Sequence, residues 1–233
     1  AKVWIGNSVA ATGDAQGVIL EGLPRYIATE FLESKFGKDV ADVERLRHRT
    51  AYSAVSKRDA PLTQVSPVDD FYYGEVAKKG SMIWRLLARK IGAGEFSSVL
   101  KENMQDGTLT VSELRQALSP QKDLLDYLFD KTTDMNLLAG LPQVNGDVTR
   151  VALRNTGAID ATVTVNATLA NGQTMEAQST IKSLSFGDVA FKTSNKITRV
   201  EIDSEKLYPQ TDYSDDIAPR EKTDPDLLLA VKR

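Results

Sequence analysis

The sequence predicts an α+β protein, helical in its first part and β-rich in its second. Two observations carry this. Apolar residues recur at helical spacing as far as Leu141-Pro142, and beyond that pair the period drops to two, with β-branched residues alternating against polar ones. A third sets the scale: 233 residues, 41% of them hydrophobic, are enough to bury a proper core, in one large domain or two small ones.

Each element has its own signal. Leu23, Ile27, Phe31 and Leu32 mark one face of a helix from Leu23 to Phe36, which Gly37 stops. Val40 to Ser56 continues as a more polar helix. Arg58 to Gly74 holds two prolines and a glycine, so it reads as a loop or irregular lid. Met82, Ile83, Leu86, Leu87 and Ile91 form a wide apolar stripe, which belongs in a core. Gly92 and Gly94 break that stripe before a short helix from Glu95 to Asn103. Ser112–Ser119 and Asp123–Lys131 are two further helices.

The strands follow as "DVTRVALRN", "DATVTVNATLA", "QTMEAQSTIK", "GDVAFKT" and "ITRVEID", with Asn171-Gly172 expected as a two-residue hairpin turn. Five or six short antiparallel strands make a small sandwich. The expected division is residues 1–143 helical, 144–207 β-sandwich, and 208–233 an extended surface tail with one helical turn at "DLLLAVKR".

Composition excludes several function classes. A net charge of −3 leaves no basic footprint for nucleic acid. No apolar run reaches the ~20 residues that span a bilayer, and the start does not read as a signal peptide. With no cysteine, thiol catalysis, disulfides and Cys-based zinc sites are all excluded, while cytoplasmic and extracytoplasmic placement are both compatible. The single histidine, His48, sits among charged neighbours and reads as a solvated helix residue. The chain opens at Ala1 without a Met, inside a patterned segment, which predicts a processed product or an excised piece of a longer protein, the second being preferred.

Two stretches are decoys. Glu102 to Glu113 has the glycine and terminal glutamate of a calcium loop, but Met104 stands at a ligand position and a thioether is a poor calcium ligand. "GAGEFS" follows no strand, so it is a helix-breaking turn rather than a nucleotide loop. Asn166-Ala167-Thr168 is a formal glycosylation acceptor.

The motifs that narrow function lie near the start. Lys2, Val3, Trp4, Ile5, Gly6 and Asn7 open the chain, eighteen residues separate Lys2 from Glu21, and Glu21, Gly22 and Tyr26 form "EGxxxY". Lys79-Gly80 then opens the apolar helix, and "DGTLTVSELRQALSPQKDLLDYLFDKTTD" closes the helical region. In this order and spacing, residues 1–142 resemble the aminopeptidase N-like zinc metallopeptidases, the gluzincins with an HExxH-x18-E signature. The resemblance implies the helical C-terminal half of a thermolysin-like peptidase domain, followed by a β-module. It also implies zinc as the family's cofactor, peptides as substrates, and removal of their N-terminal residues.

Carried over position by position, the resemblance makes Glu21 the third zinc ligand and assigns Lys2 and Tyr26 to binding. The first histidine and the general base would precede Ala1. Lys2 stands where the family has its second histidine, and an ammonium repels Zn²⁺ instead of ligating it. Ala77 stands where the family has its transition-state tyrosine, and losing one oxyanion donor costs about 10²–10³ in rate. Tyr72 and Tyr73 lie upstream, with Tyr73 the possible substitute.

Lys2 is expected to replace the zinc charge by pairing with Glu21. Pro24 is tolerated in a first helical turn, so that helix is expected to begin near Leu20, leaving Glu21 close to its N-terminus. The sequence thus reads as a fragment of a metallopeptidase homologue that is non-catalytic as it stands, binds no zinc itself, and engages a peptide or protein. The alternative is part of an active zinc-dependent aminopeptidase.

Overall fold

The computed structural model describes residues 4–220. The chain divides into two compact units, the first of residues 1–135 with 206–211 and the second of residues 136–205 with the segment from 212 on. The sequence placed the boundary eight residues later. The difference arises because Leu137–Ala139 and Gln143–Asn145, read as the end of the helical region, are already strands of the second unit.

The first unit contains α1 (Leu23–Phe36), α2 (Lys38–Ser53), α3 (Gly80–Ile91), α4 (Ala93–Asn103), α5 (Val111–Ala117) and α6 (Lys122–Asp130). Gly37 and Gly92, both at positive φ, separate α1 from α2 and α3 from α4. β1 (Ala10–Thr12) and β2 (Thr108–Thr110) form a short parallel pair with Ala11 opposite Leu109.

α3 is the centre of this unit. Its residues from Gly80 to Ala88 are buried, and Trp84 packs on Phe96 and Phe129 with ring centroids 6.2 and 5.7 Å apart. Met82, Ile83, Leu86 and Leu87 of the apolar stripe are therefore core, while Ile91 at the helix end is only part-buried.

Two helices begin in widened turns that the sequence did not reveal. Val18–Gly22 is π-helical and runs straight into α1, and Tyr73–Lys79 is π-helical and runs straight into α3. In the first, Leu23 N–H donates to Val18 O, five residues back. The helix therefore starts ahead of Leu20, and Glu21 sits inside a π turn instead of at a helix end. Pro24 follows at once; it has no N–H to give and its ring crowds the turn before it, so a wide turn is the local solution.

The calcium-like stretch resolves into β2 and a helix start. Thr110 Oγ1 accepts from Glu113 N–H at 3.1 Å while Glu113 Oε2 accepts from Thr110 N–H at 2.8 Å, a capping box that occupies the glutamate.

The second unit holds two four-stranded antiparallel sheets. In one, β10 (Ile217–Ala218), β9 (Ile197–Ile202), β6 (Ala161–Leu169) and β7 (Thr174–Ile181) lie in that order. In the other, β5 (Val148–Asn155) pairs with β8 (Phe186–Lys192) on one side and with β3 (Leu137–Ala139) and β4 (Gln143–Asn145) on the other. Along β6, Ala161, Val163, Val165, Ala167 and Leu169 are buried and the residues between them are not.

The hairpin between β6 and β7 differs from expectation. Gly172 N–H donates to Leu169 O at 2.9 Å, and Gly172 alone has positive φ. Ala170-Asn171 is thus the turn centre and Gly172 the left-handed residue after it, a three-residue loop.

The extended tail is corrected in its described part. Tyr208 is 1% exposed in the first unit, where Thr211 N–H donates to Met135 O, and β10 pairs with β9 in the second. The "DLLLAVKR" turn lies outside the described residues.

Candidate functional site

The sequence directs attention to Glu21, and the two π turns decide its surroundings. The turn carrying Glu21 packs against the turn carrying Ala77 through two glycines. A Cβ on Gly22 would sit 2.8 Å from Val76 O and 3.0 Å from Gly80 C, so only glycine admits this crossing. The glycines of "EGxxxY" and "KG" therefore meet each other. Trp84 Nε1–H donates to Val18 O at 2.9 Å, tying α3 to the first π turn.

Glu21 faces a cation from its own helix. Arg25 Nη1 donates to Glu21 Oε2 at 2.8 Å and to the Glu21 carbonyl at 2.9 Å. Lys2, expected to be the partner of Glu21, lies outside the described residues. Ala77, which stands where the resemblance expects a tyrosine, is fully buried.

Of the two upstream tyrosines, Tyr72 is the one beside Glu21. Burial raises its phenol pKa, and the negative charge of Glu21 adds to the rise. Gly17 makes room for it, since a Cβ there would lie 2.4 Å from the Tyr72 hydroxyl. Tyr73 is 60% exposed and meets Tyr72 edge to face at 5.4 Å.

Tyr26 turns toward a small cavity between α1, α2 and α3. The ring lies edge-on to Phe96 at 5.8 Å, and burial together with Glu30 pushes the phenol pKa up to about 12. Tyr26, Thr29, Arg45, His48 and Ser81 line the cavity, whose free volume of about 10 Å³ is room for about one water.

His48 is buried, contrary to the solvated residue read from the sequence. Its Nδ1 lies 3.2 Å from Ser81 Oγ. Burial, with Lys78 and Arg25 nearby, drives its pKa down to about 4, so the ring is neutral at pH 7. Arg45 explains why this polar face folds inward. Its guanidinium is 5% exposed and held by Glu30 and Glu33 of α1 and Asp42 of α2.

A wider cleft of about 490 Å³ opens elsewhere in the same unit, lined by Gly13, Asp14, Thr63, Thr110, Ser112 and Arg115. Arg115 forks onto Asp130 there at 2.6 and 2.7 Å.

A third group, missed by sequence reading, lies under the long loop. Asp59, Glu75 and Lys79 are all fully buried side chains. Lys79 Nζ donates to both Asp59 oxygens, at 2.6 and 2.9 Å. Burial and the neighbouring Asp59 push the Glu75 pKa up to about 9, so its carboxyl keeps its proton. Neither Glu75 oxygen has a hydrogen-bond partner, and the nearest cation, Lys79 Nζ, lies 3.4 Å from Oε2. The signal available beforehand was the i, i+4 pair Glu75/Lys79, which reads more simply as a solvated helix face.

These residues do not fit the zinc that the resemblance implies. The one carboxylate assigned to the metal is bound by a guanidinium, and the one imidazole hydrogen-bonds Ser81. Among the described residues, no three metal-ligating side chains are grouped to hold an ion. No protein-family model matches the chain, and no curated protein matches it.

Proposed function

We propose that this chain is the non-catalytic part of an aminopeptidase N-like homologue and serves as a peptide- or protein-binding module. One observation carries the reading: the Arg25 guanidinium lies 2.8 Å from the Glu21 carboxylate. A divalent cation held about 4 Å from that guanidinium would meet a repulsion of about 8 kcal/mol at an effective dielectric of about 20. Arg25 would have to leave before Glu21 could ligate.

The fully buried Ala77 supports the same conclusion from a second position, because a methyl group donates nothing to an oxyanion. The cleft of about 490 Å³ falls in the size range of ligand pockets and offers the Ser112 hydroxyl for a peptide backbone. Phe31, Phe36, Val43 and Leu46, each at least half exposed, supply apolar surface for a larger partner.

The test pairs turnover with binding. The chain is incubated with fluorogenic aminoacyl substrates and zinc, and separately titrated with a peptide library displayed at fixed density. Peptide binding without turnover is the expected result. Chelator-sensitive release of N-terminal residues overturns the reading in favour of the active aminopeptidase.

A further inference from the structure

Away from Glu21, an amine and two carboxyls meet in an interior closed to water. Lys79 Nζ lies 2.6 and 2.9 Å from the Asp59 oxygens and 3.4 Å from Glu75 Oε2. Thr133 N–H donates to Asp59 Oδ2, and the Tyr52 ring centre lies 5.5 Å from Nζ. The two reacting residues stand twenty positions apart, one on the long loop and one where α3 begins. Nothing in the Glu21 region needs this cluster.

We propose that Lys79 and Asp59 condense to an intramolecular isopeptide bond, with Glu75 as the catalytic proton carrier. At rest the burial of Asp59 is outweighed by Glu75, Lys79 and the Thr133 N–H, which hold its carboxyl below its ordinary range. The reactive form is the one in which a proton has passed from Nζ to Asp59, leaving an amine against a carboxylic acid. The Nζ lone pair attacks Asp59 Cγ, and the new N–C bond makes a tetrahedral centre. Thr133 N–H steadies the oxygen that gathers negative charge. Glu75 gives its proton to the departing hydroxyl and takes the proton shed by nitrogen, ending as it began. The C–O bond breaks and water leaves. Amine plus acid become a secondary amide plus one water, with no oxidant or other reactant.

The surroundings favour each part of the step. Both reacting groups are held in contact by the fold, which removes the entropy of bringing them together. Glu75, pushed up to about 9, is in the acid form that the step requires. Exclusion of bulk water disfavours the reverse hydrolysis. The product closes residues 59 to 79 into a covalent ring that pins the long loop to the second π turn.

Intact-mass measurement on the folded, then denatured chain is the test. The parent is expected one water lighter than its sequence mass, and digestion yields a branched peptide joining Asp59 to Lys79. Glu75→Gln, with an unchanged far-UV spectrum, keeps the full sequence mass, as does Lys79→Met. Asp59→Asn loses ammonia in place of water and arrives at the same final mass as the linked parent. A folded parent that holds its full sequence mass after prolonged incubation overturns the proposal, as does a water loss mapped to any other pair. The parent alone decides, so a variant that fails to fold costs the test nothing.

Discussion

At the scale of single residues, buried charge sets how this molecule responds to pH. Glu75 ordinarily titrates near 4.5 and in the fold is pushed up to about 9. The folded chain therefore keeps a proton that the unfolded chain has released. Its contribution is complete below about 4.5 and is lost as pH rises toward about 9. His48 runs the other way: lowered from 6.5 to about 4, its contribution is present above 6.5 and lost as pH falls toward 4. Between 4.5 and 6.5 the two oppose each other; above 6.5 Glu75 alone of the pair sets the slope. Urea midpoints are expected to fall from pH 6.5 to 9, and Glu75→Gln removes that fall.

Arg45 is the second residue-scale test. Its three carboxylate partners are 28 to 40% exposed, so part of each charge stays solvated when the guanidinium is removed. Arg45→Ala is expected to cost about 3 kcal/mol, at the low end for breaking a buried ion pair, read from chemical denaturation.

At the scale of elements, the six α-helices and the strands β5 to β9 were legible, whereas the short strands β1 to β4 and β10 and the internal geometry of the helices were not. Periodicity placed α3 and β6 because each buries an apolar stripe at its own spacing. α1 lies where its stripe was read, but of Leu23, Ile27, Phe31 and Leu32 only Leu23 is buried, and the buried face is Leu23, Pro24, Tyr26 and Thr29. In α2 the rule inverts. The buried face is Ala41, Arg45, His48 and Tyr52, while Val43 and Leu46 are about half exposed. Hydropathy misreads such a face, because Arg45 is met by Glu30 and Glu33 of α1 and His48 by Ser81 of α3, partners that local sequence does not reveal.

The π turns were hidden for a different reason: an extra residue in one turn depends on what packs against it. Gly22 was read as part of a motif, yet its physical role is to let Val76 O and Gly80 approach. Gly22→Ala is expected to lose about 1–3 kcal/mol through forced separation of the two turns, measured as a lower thermal midpoint. Trp84→Phe keeps most of the packing and removes the hydrogen bond to Val18 O. It is expected to cost about 1 kcal/mol.

At the scale of the whole molecule, the two units were legible as a change of period, but their chain boundaries were not. Residues 206–211 return to the first unit before β10 adds the last strand of the second. Composition rich in Asp and Pro reads as a loose tail, and only the burial of Tyr208 and the pairing of β10 reveal otherwise. Tyr208→Ala is expected to destabilise the first unit by about 3 kcal/mol, as other large-to-small core changes do, while the sandwich strands keep their amide protection in hydrogen exchange.

The site is the least legible part. The sequence singled out Glu21 through spacing alone, and the guanidinium that engages it comes from Arg25, a position the motif leaves unspecified. Metal content is the most direct measurement of the account. After equilibration with excess zinc and removal of the unbound ion, the folded chain is predicted to retain no stoichiometric zinc, with or without Glu21→Ala. One zinc per chain in the parent, lost in Glu21→Ala, would contradict it.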